Sequence, residues 1–289
     1  MAEDMKGKVV LITGATQGIG LATAKALAPL GATLVLVGRD PQRTAEAVAA
    51  VKALQPAQEG ASGGVEFLLA DLSSMEAVRT LAAQFKSRFQ RLDVLVNNAG
   101  GVFTKRELTV DGFERTFALN HLSYFLLTTL LLDVLKASAP SRIINVSSDA
   151  ASGGRLNFDD VMGERKYRGF VAYCHSKLAN MFFTQELARR LESSGVTVNA
   201  VHPGVVASGF GRNTPGFLKW VLSLVGGFML TPEKGAGTSV FLATSPTVQG
   251  VTGKYFKKSK AATWPRPARN DEARARLWTL SEQLTGTRA

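Results

Sequence analysis

The chain has 289 residues, 45% hydrophobic and 20% charged, with 28 Gly and 10 Pro, proportions that exclude a collagen-like, low-complexity or chiefly disordered polymer. Lys and Arg outnumber Asp and Glu by 34 to 23, a net charge of +11 that favours anionic ligands without choosing among them. The single cysteine, Cys174, forbids an internal disulfide and no Cys/His spacing suits zinc, so no metal and a reducing, cytoplasmic setting are expected.

In chain order, the N-terminal stretch carries two acids before the first apolar run at Val9 and lacks the basic and apolar regions of an export signal. Short β-branched runs then alternate with longer helical patterns: 8–13, 33–38, 65–70, 93–98, 142–147, 196–201 and 253–256 read as seven strands. Most are apolar throughout, as strands buried on both faces must be. Asp40 before Pro41, and Thr231 before Pro232, read as N-caps followed by a proline in the first turn. The apolar stretches 124–135 and 217–230 fall short of the roughly 20 residues a membrane-spanning helix needs, so no transmembrane segment is expected. The pattern predicts α/β architecture: one doubly wound parallel sheet (a Rossmann fold) of about seven strands, with helices on both faces, forming a single domain over 1–289. Within it, 152–170 reads as an insertion near the site, 205–231 as a substrate lid and 261–289 as a C-terminal extension.

The first strand runs into TGATQGIG (13–20), which opens a helix. Gly14 permits the tight turn, Gly18 lets backbone approach a pyrophosphate and Gly20 allows close helix packing, while the helix N-terminus offers free N–H groups. The turn as a whole, Gly14, Thr16, Gln17, Gly18, Ile19 and Gly20, is a dinucleotide-site candidate. Where NAD-preferring enzymes place a ribose-gripping carboxylate, at the end of strand two, this chain has Gly38 and Arg39. A guanidinium there suits a 2′-phosphate, so NADP(H) is the expected cofactor. Asp40 is better used as a helix cap than as a ribose ligand.

Tyr173 and Lys177 stand at i and i+4 in a helical pattern and project from one face. A neighbouring ammonium is expected to lower the pKa of the phenol and make it usable as an acid or base. Beside this pair, TGATQGIG, NNAG (97–100), Asn120 in LNHLSYF, NVSS (145–148), YCHSK (173–177) and HPG (202–204) occur in the order that resembles the short-chain dehydrogenase/reductase family. The resemblance covers roughly residues 6 to 260. YCHSKLAN, the QELARRL that follows and VHPGVV are similar to the retinol dehydrogenase and carbonyl reductase-like branch.

The resemblance implies Tyr173 as general acid/base, Lys177 tuning it and holding the nicotinamide ribose, Ser148 bonding the substrate oxygen and Asn120 anchoring a water that connects Lys177 to solvent. Of the two serines, adjacent strand positions face opposite ways, so Ser147 and Ser148 cannot both serve. It further implies cofactor contacts at Asp71, Leu72, Asn97, Ala99, Gly100, Pro203, Gly204, Val206 and Ser208, most of them at the carboxyl ends of strands, where open parallel sheets bind ligands. Ser148 and Tyr173 are 25 positions apart, longer than in many members, which locates the insertion at 152–170.

The expected activity is NADP(H)-dependent hydride transfer to the carbonyl of a hydrophobic substrate. Alternatives are NADP+-dependent oxidation of a retinoid- or lipid-like alcohol, and a non-catalytic cofactor sensor on the same fold. A homo-oligomer is possible on the resemblance. The basic cluster 257–260 and Arg266, Arg269, Arg274 and Arg276 lack aromatic interleaving, so no nucleic-acid partner is expected. His121, His175 and His202 read as structural.

Overall fold

A computed structural model describes residues 4–56, 63–206 and 230–288. Eight strands form one sheet in the order β3-β2-β1-β4-β5-β6-β7-β8. They are β1 (Val9–Thr13), β2 (Thr33–Gly38), β3 (Val65–Leu69), β4 (Val94–Asn97), β5 (Ser141–Val146), β6 (Val196–His202), β7 (Lys254–Lys257) and β8 (Lys260–Ala262). All neighbours are parallel except β7 and β8. Chain order reverses between β1 and β4, so their carboxyl ends splay apart and open the crevice where such sheets take ligands.

The helices are α1 (Gly18–Leu27), α2 (Pro41–Lys52), α3 (Met75–Arg88), α4 (Arg115–Phe117), α5 (Ser123–Leu130), α6 (Leu132–Ala137), α7 (Gly169–Arg190), α8 (Pro232–Thr244) and α9 (Asp271–Thr285). A π-turn, Ala118–Leu122, joins α4 to α5. The period-2 geometry of the strands sorts their side chains into two cores. On one face Leu11, Val35, Leu95, Ile143 and Val198 meet Phe85 of α3, Phe125 of α5 and Phe182 of α7. On the other Val10, Ile12, Leu34, Val96 and Ile144 meet Ala24 of α1 and Leu242 of α8. Asp40 caps α2 by accepting from the Arg43 N–H at 2.9 Å, and Thr231 caps α8 through the Lys234 N–H.

Two expectations need correction. The sheet has eight strands: Lys260–Ala262, which runs from the end of the basic cluster 257–260 into the C-terminal extension, pairs antiparallel with β7. The two-residue turn between them puts Lys258 (φ 47°) and Ser259 (φ 58°) in the left-handed region without Gly or Asn, so the usual hairpin signal is missing from the sequence. The third strand is not buried on both faces either. It is a sheet edge, with Phe67 and Leu69 exposed. Among the described residues, no helix is long and apolar enough to cross a membrane.

Candidate active site

The nucleotide end is shaped by backbone. Gly14 (φ 64°) turns the chain out of β1, and a Cβ there would lie 2.9 Å from the Ala99 Cα. A Cβ on Gly20 would lie 2.3 Å from the Gly14 oxygen and 2.5 Å from the Asn98 amide nitrogen, so any side chain would force the turn and helix apart. Gln17 occupies the N-cap of α1 without a side-chain bond, and the first turn holds no acid. The leading N–H groups are therefore left for an anion. Thr13 and Asn98 lock this turn to β4: the Asn98 and Ala99 N–H groups donate to Thr13 Oγ1 at 2.8 and 3.0 Å, and Asn98 Nδ2 donates to the Thr13 and Gly14 carbonyls. Neither was picked out from sequence. In NNAG the visible signal was two asparagines, and strand alternation sends them to different places.

Asn97 is the one turned inward. Its Nδ2 donates to Thr128 Oγ1 and Asn145 Oδ1, both at 2.9 Å, and it is fully buried. Its amide nitrogen is committed to the β4–β5–α5 core, so any cofactor contact at this position falls to its backbone. At the end of β2, Arg39 is exposed while the Asp40 carboxylate is engaged in capping α2. Across from it Asp71 accepts from the Ser73 N–H and hydroxyl. Burial alone would raise the Asp71 pKa, but those bonds, with Arg39 and Arg115 nearby, hold it below the ordinary carboxylate value. Leu72 is buried beside it. Gly38 leaves the space occupied by Thr16 and Thr44, since a Cβ there would lie 2.5 and 2.2 Å from their side chains.

The chemical end is shaped by buried side chains. The 22-residue helix α7 carries Tyr173 and Lys177 on one face, with the Lys177 Nζ 5.7 Å from the Tyr173 ring centroid and 5.8 Å from that of Tyr124. Lys177 donates to the Val146 carbonyl at 2.9 Å, which ties it to the end of β5. Ser148, two residues on, lies within hydrogen-bonding reach of Tyr173 and accepts from the Ala150 N–H. Ser147 points the other way and donates to the Lys177 carbonyl, leaving Ser148 as the hydroxyl at the tyrosine. Burial pushes the Tyr173 phenol up to about 12, Ser148 partly offsetting it, and burial pushes Lys177 down to about 7. The lysine beside the phenol thus holds its proton less tightly than an exposed ammonium, and Ser148 draws the tyrosine pKa down.

Asn120 sits in the π-turn, fully buried, with its Oδ1 accepting from the Gly101 N–H and its Nδ2 donating to the Gly101 carbonyl and Ser176 Oγ. Its side chain therefore clamps the loop after β4 to α7, with both amide hydrogens engaged and one Oδ1 lone pair left over. Gly100 lies between it and the lysine: a Cβ there would be 3.1 Å from Asn120 Oδ1 and 3.6 Å from Lys177 Nζ. At the third edge, Gly204 (φ 88°) turns the chain after Pro203, and Val206 packs with Ile19 against Gly235 of α8. Val206 also bridges to Leu230 at the two ends of the expected lid. Ser208 and residues 217–229 lie outside the described residues.

The insertion is moored rather than free. Tyr167 Oη bonds the Phe103 carbonyl at 2.9 Å and the buried Glu114 at 3.0 Å, and Arg106 donates to the Met162 carbonyl. Beyond it the half-exposed Phe170 ring stands 6.3 Å from the Tyr173 ring, an apolar surface next to the reactive phenol. Cys174 is buried, and burial raises its thiol pKa. Among the described residues, no His, Cys, Asp and Glu are grouped so as to hold a metal.

A glycine-lined crevice at the sheet's reversal, with a Tyr, Lys and Ser meeting beside it, is the arrangement of a nucleotide-dependent oxidoreductase, and the comparisons agree. The family model for short chain dehydrogenase matches residues 8–216, and the chain belongs to that family. Within the family it falls in the retinol dehydrogenase branch: it is 45% identical over 293 residues to human retinol dehydrogenase 14, covering 98% of this chain and 87% of the relative. Among solved structures, it superimposes on an uncharacterized Mycobacterium paratuberculosis protein with a TM-score of 0.79 and 31% identity, covering 99% of this chain and 96% of that one. The Pseudomonas aeruginosa RhlG/NADP active-site complex gives a TM-score of 0.69 at 28% identity, over 88% and 95% of the two chains.

Proposed function

We propose that this chain transfers hydride between NADP(H) and the carbonyl or alcohol of a bulky hydrophobic substrate, with Tyr173 as the general acid/base. When bound, the nicotinamide supplies or accepts the hydride. The observation that carries the reading is the convergence at the crevice of the buried Tyr173 phenol, the Ser148 hydroxyl within its reach and the Lys177 Nζ 5.7 Å from its ring centroid. A phenol that keeps its proton at neutral pH has one to give, which suits carbonyl reduction. Ser148 donates to the same oxygen as negative charge develops on it. Lys177, with a pKa near 7, is matched to exchange a proton at working pH and return it to Tyr173. Asn120 keeps the loop and helix around this path in register by clamping Gly101 to Ser176.

The nucleotide end fits the cofactor: the Gly14–Gly20 cradle excludes side chains, α1 starts uncapped, and Asp71 is kept ionised. Arg39 supports NADP(H) over NAD(H), because the guanidinium is exposed at the end of β2 while Asp40 is occupied as a cap. For the substrate, Phe170 beside Tyr173 and exposed Val205 after the Pro203–Gly204 turn supply apolar walls. The name of the human relative favours a retinoid-like molecule. The test is a panel of retinal, decanal and small polar ketones, each with NADPH and NADH. Turnover of the first two with NADPH is expected. A clear preference for NADH removes the Arg39 argument, and turnover of the polar ketones alone removes the apolar one. The reverse assay, NADP+ reduction by retinol, measures the second reading, alcohol oxidation.

A further inference from the structure

Asp149 follows the serine, and its carboxylate gathers three partners from two other strand ends. Tyr255 Oη of β7 donates to Oδ1 at 2.9 Å, Lys257 Nζ of β7 pairs with Oδ1 at 2.5 Å, and His202 Nε2 of β6 faces Oδ2 at 3.5 Å. In return, the Asp149 N–H donates to His202 Nδ1 at 3.2 Å. His202 thus accepts the Asp149 N–H on Nδ1, which requires an Nδ1 that carries no proton, while Nε2 stands at ion-pair distance from the carboxylate of the same residue. Tyr255 is fully buried and stacks on Trp264 (centroids 5.5 Å apart, planes 15° apart), so the C-terminal extension supports the same cluster from behind. Four elements thus meet on the first residue of the short turn that Ser148 caps.

We propose that Asp149 and His202 form a positioning interlock that locks the Ser148 hydroxyl and the Pro203–Gly204 turn into one fixed relation, so that oxygen binding and the nicotinamide side of the crevice stay in register. The argument is geometric. Ser148 is held by its bond with the Ala150 N–H and by Tyr173, and both depend on where the 149–153 turn sits. His202 immediately precedes Pro203, so the bond from the Asp149 N–H to Nδ1 and the carboxylate beside Nε2 fix the start of the turn on that side. No charge on Asp149 or His202 needs to reach the substrate. The carboxylate is half-exposed and Lys257 neutralises it from the solvent side.

The device has a pH signature. The groups facing His202 are Asp149 from the turn and Lys257 and Tyr255 from β7. Burial lowers the His202 pKa below its ordinary value, with Lys257 lowering and Asp149 raising it. The interlock is therefore intact at neutral pH and is released as acid protonates Nδ1, which can then no longer accept the Asp149 N–H.

The inference rests on Ser148 as the oxygen-binding hydroxyl, and the test separates the two. Steady-state kinetics with NADPH and retinal, or decanal where retinal is not turned over, are compared for Ser148→Ala, Asp149→Ala, Asp149→Asn and His202→Asn, with NADPH dissociation constants by fluorescence. A misplaced reacting group costs up to about 100-fold, so Asp149→Ala is expected to lower kcat by about 10- to 100-fold at unchanged NADPH affinity. Asp149→Asn keeps an acceptor for Tyr255 and the backbone N–H that bonds His202 Nδ1, and recovers part of that loss. His202→Asn keeps an acceptor near the Nδ1 position without a titrating group, so the acid limb of the kcat profile disappears. Wild-type kcat in Asp149→Ala overturns the interlock, as does an acid limb that survives His202→Asn. Full activity in Ser148→Ala overturns the underlying reading as well.

Discussion

At the β1–α1 turn the surface offered to a ligand is backbone: glycines with no room for a Cβ, an uncapped helix start and an N–H-rich loop pinned by Thr13 and Asn98. Across the crevice it is side chain. A phenol, an amine and a hydroxyl are held in the interior, and two of them are pushed far from their ordinary pKa values by burial. The first region asks the sequence for small residues and can bind without charge transfer. The second asks for particular functional groups and depends on desolvation to tune them. A change in the first should show mainly in affinity, and one in the second mainly in turnover.

The largest separation is expected from Tyr173→Phe. Removing one phenolic oxygen deletes the proton donor while leaving the ring against Phe170, and a general acid is worth on the order of 10²–10⁴ in rate. kcat should fall by that factor while NADPH affinity, read by fluorescence titration, stays unchanged. Parallel losses in both quantities would erase the distinction between the two regions.

Gly20→Ala probes the other side. Its Cβ would meet the Gly14 carbonyl at 2.3 Å, and an overpacked contact of this kind costs about 1–3 kcal/mol. If that strain falls on the turn, NADPH binding weakens by about 10- to 100-fold with kcat at saturation preserved. A loss of kcat at saturating NADPH would mean that the turn also orients the reacting end.

Arg39→Ala asks how far the backbone-built region relies on any side chain. A single charge-assisted contact at an exposed site is worth about 1.5 kcal/mol, or roughly tenfold. The ratio of KM for NADH to that for NADPH should drop by about that factor, with NADH kinetics themselves unmoved. An unchanged ratio would place 2′-phosphate recognition elsewhere.

Legibility in the sequence follows the same division. The strands and the glycine turn are local patterns, so periodicity and spacing reached them, and the N-caps at Asp40 and Thr231 stand where they were expected. The roles of individual polar groups depend on contacts far apart in the chain. Nothing near Asn97 indicates that its amide is taken by Thr128 and Asn145, 31 and 48 positions away. The spacing of Tyr173 and Lys177 gives their common face but not the burial that lowers the lysine pKa and sets Ser148 against the phenol. β8 escaped because its turn adopts positive φ at Lys258 and Ser259, where sequence patterns look for Gly or Asn.

The smallest effect is expected at Tyr167→Phe, in the insertion that borders the side-chain-built region. Tyr167 Oη reaches the Phe103 carbonyl, Glu114 Oε1 and Thr116 Oγ1 at 2.9, 3.0 and 3.2 Å. Glu114 keeps two other donors, the N–H groups of Thr116 and Phe117 at 2.7 and 2.8 Å, so its buried carboxylate is not orphaned by the change. Arg106 still donates to the Met162 carbonyl and Arg276 still meets Asp159, which leaves the insertion anchored at two further points. The loss should therefore be that of one ordinary hydrogen bond, about 1 kcal/mol in thermal or denaturant unfolding. NADPH affinity and kcat should not move, because Tyr167 touches neither the glycine turn nor the Tyr173 hydroxyl. What can move is KM for the hydrophobic carbonyl, since Gly169 and Phe170 lie two and three residues beyond Tyr167 and a loosened start of α7 would shift that apolar wall. A rise in KM alone makes the insertion part of the substrate wall. A fall in stability with no change in KM confines it to bracing the fold.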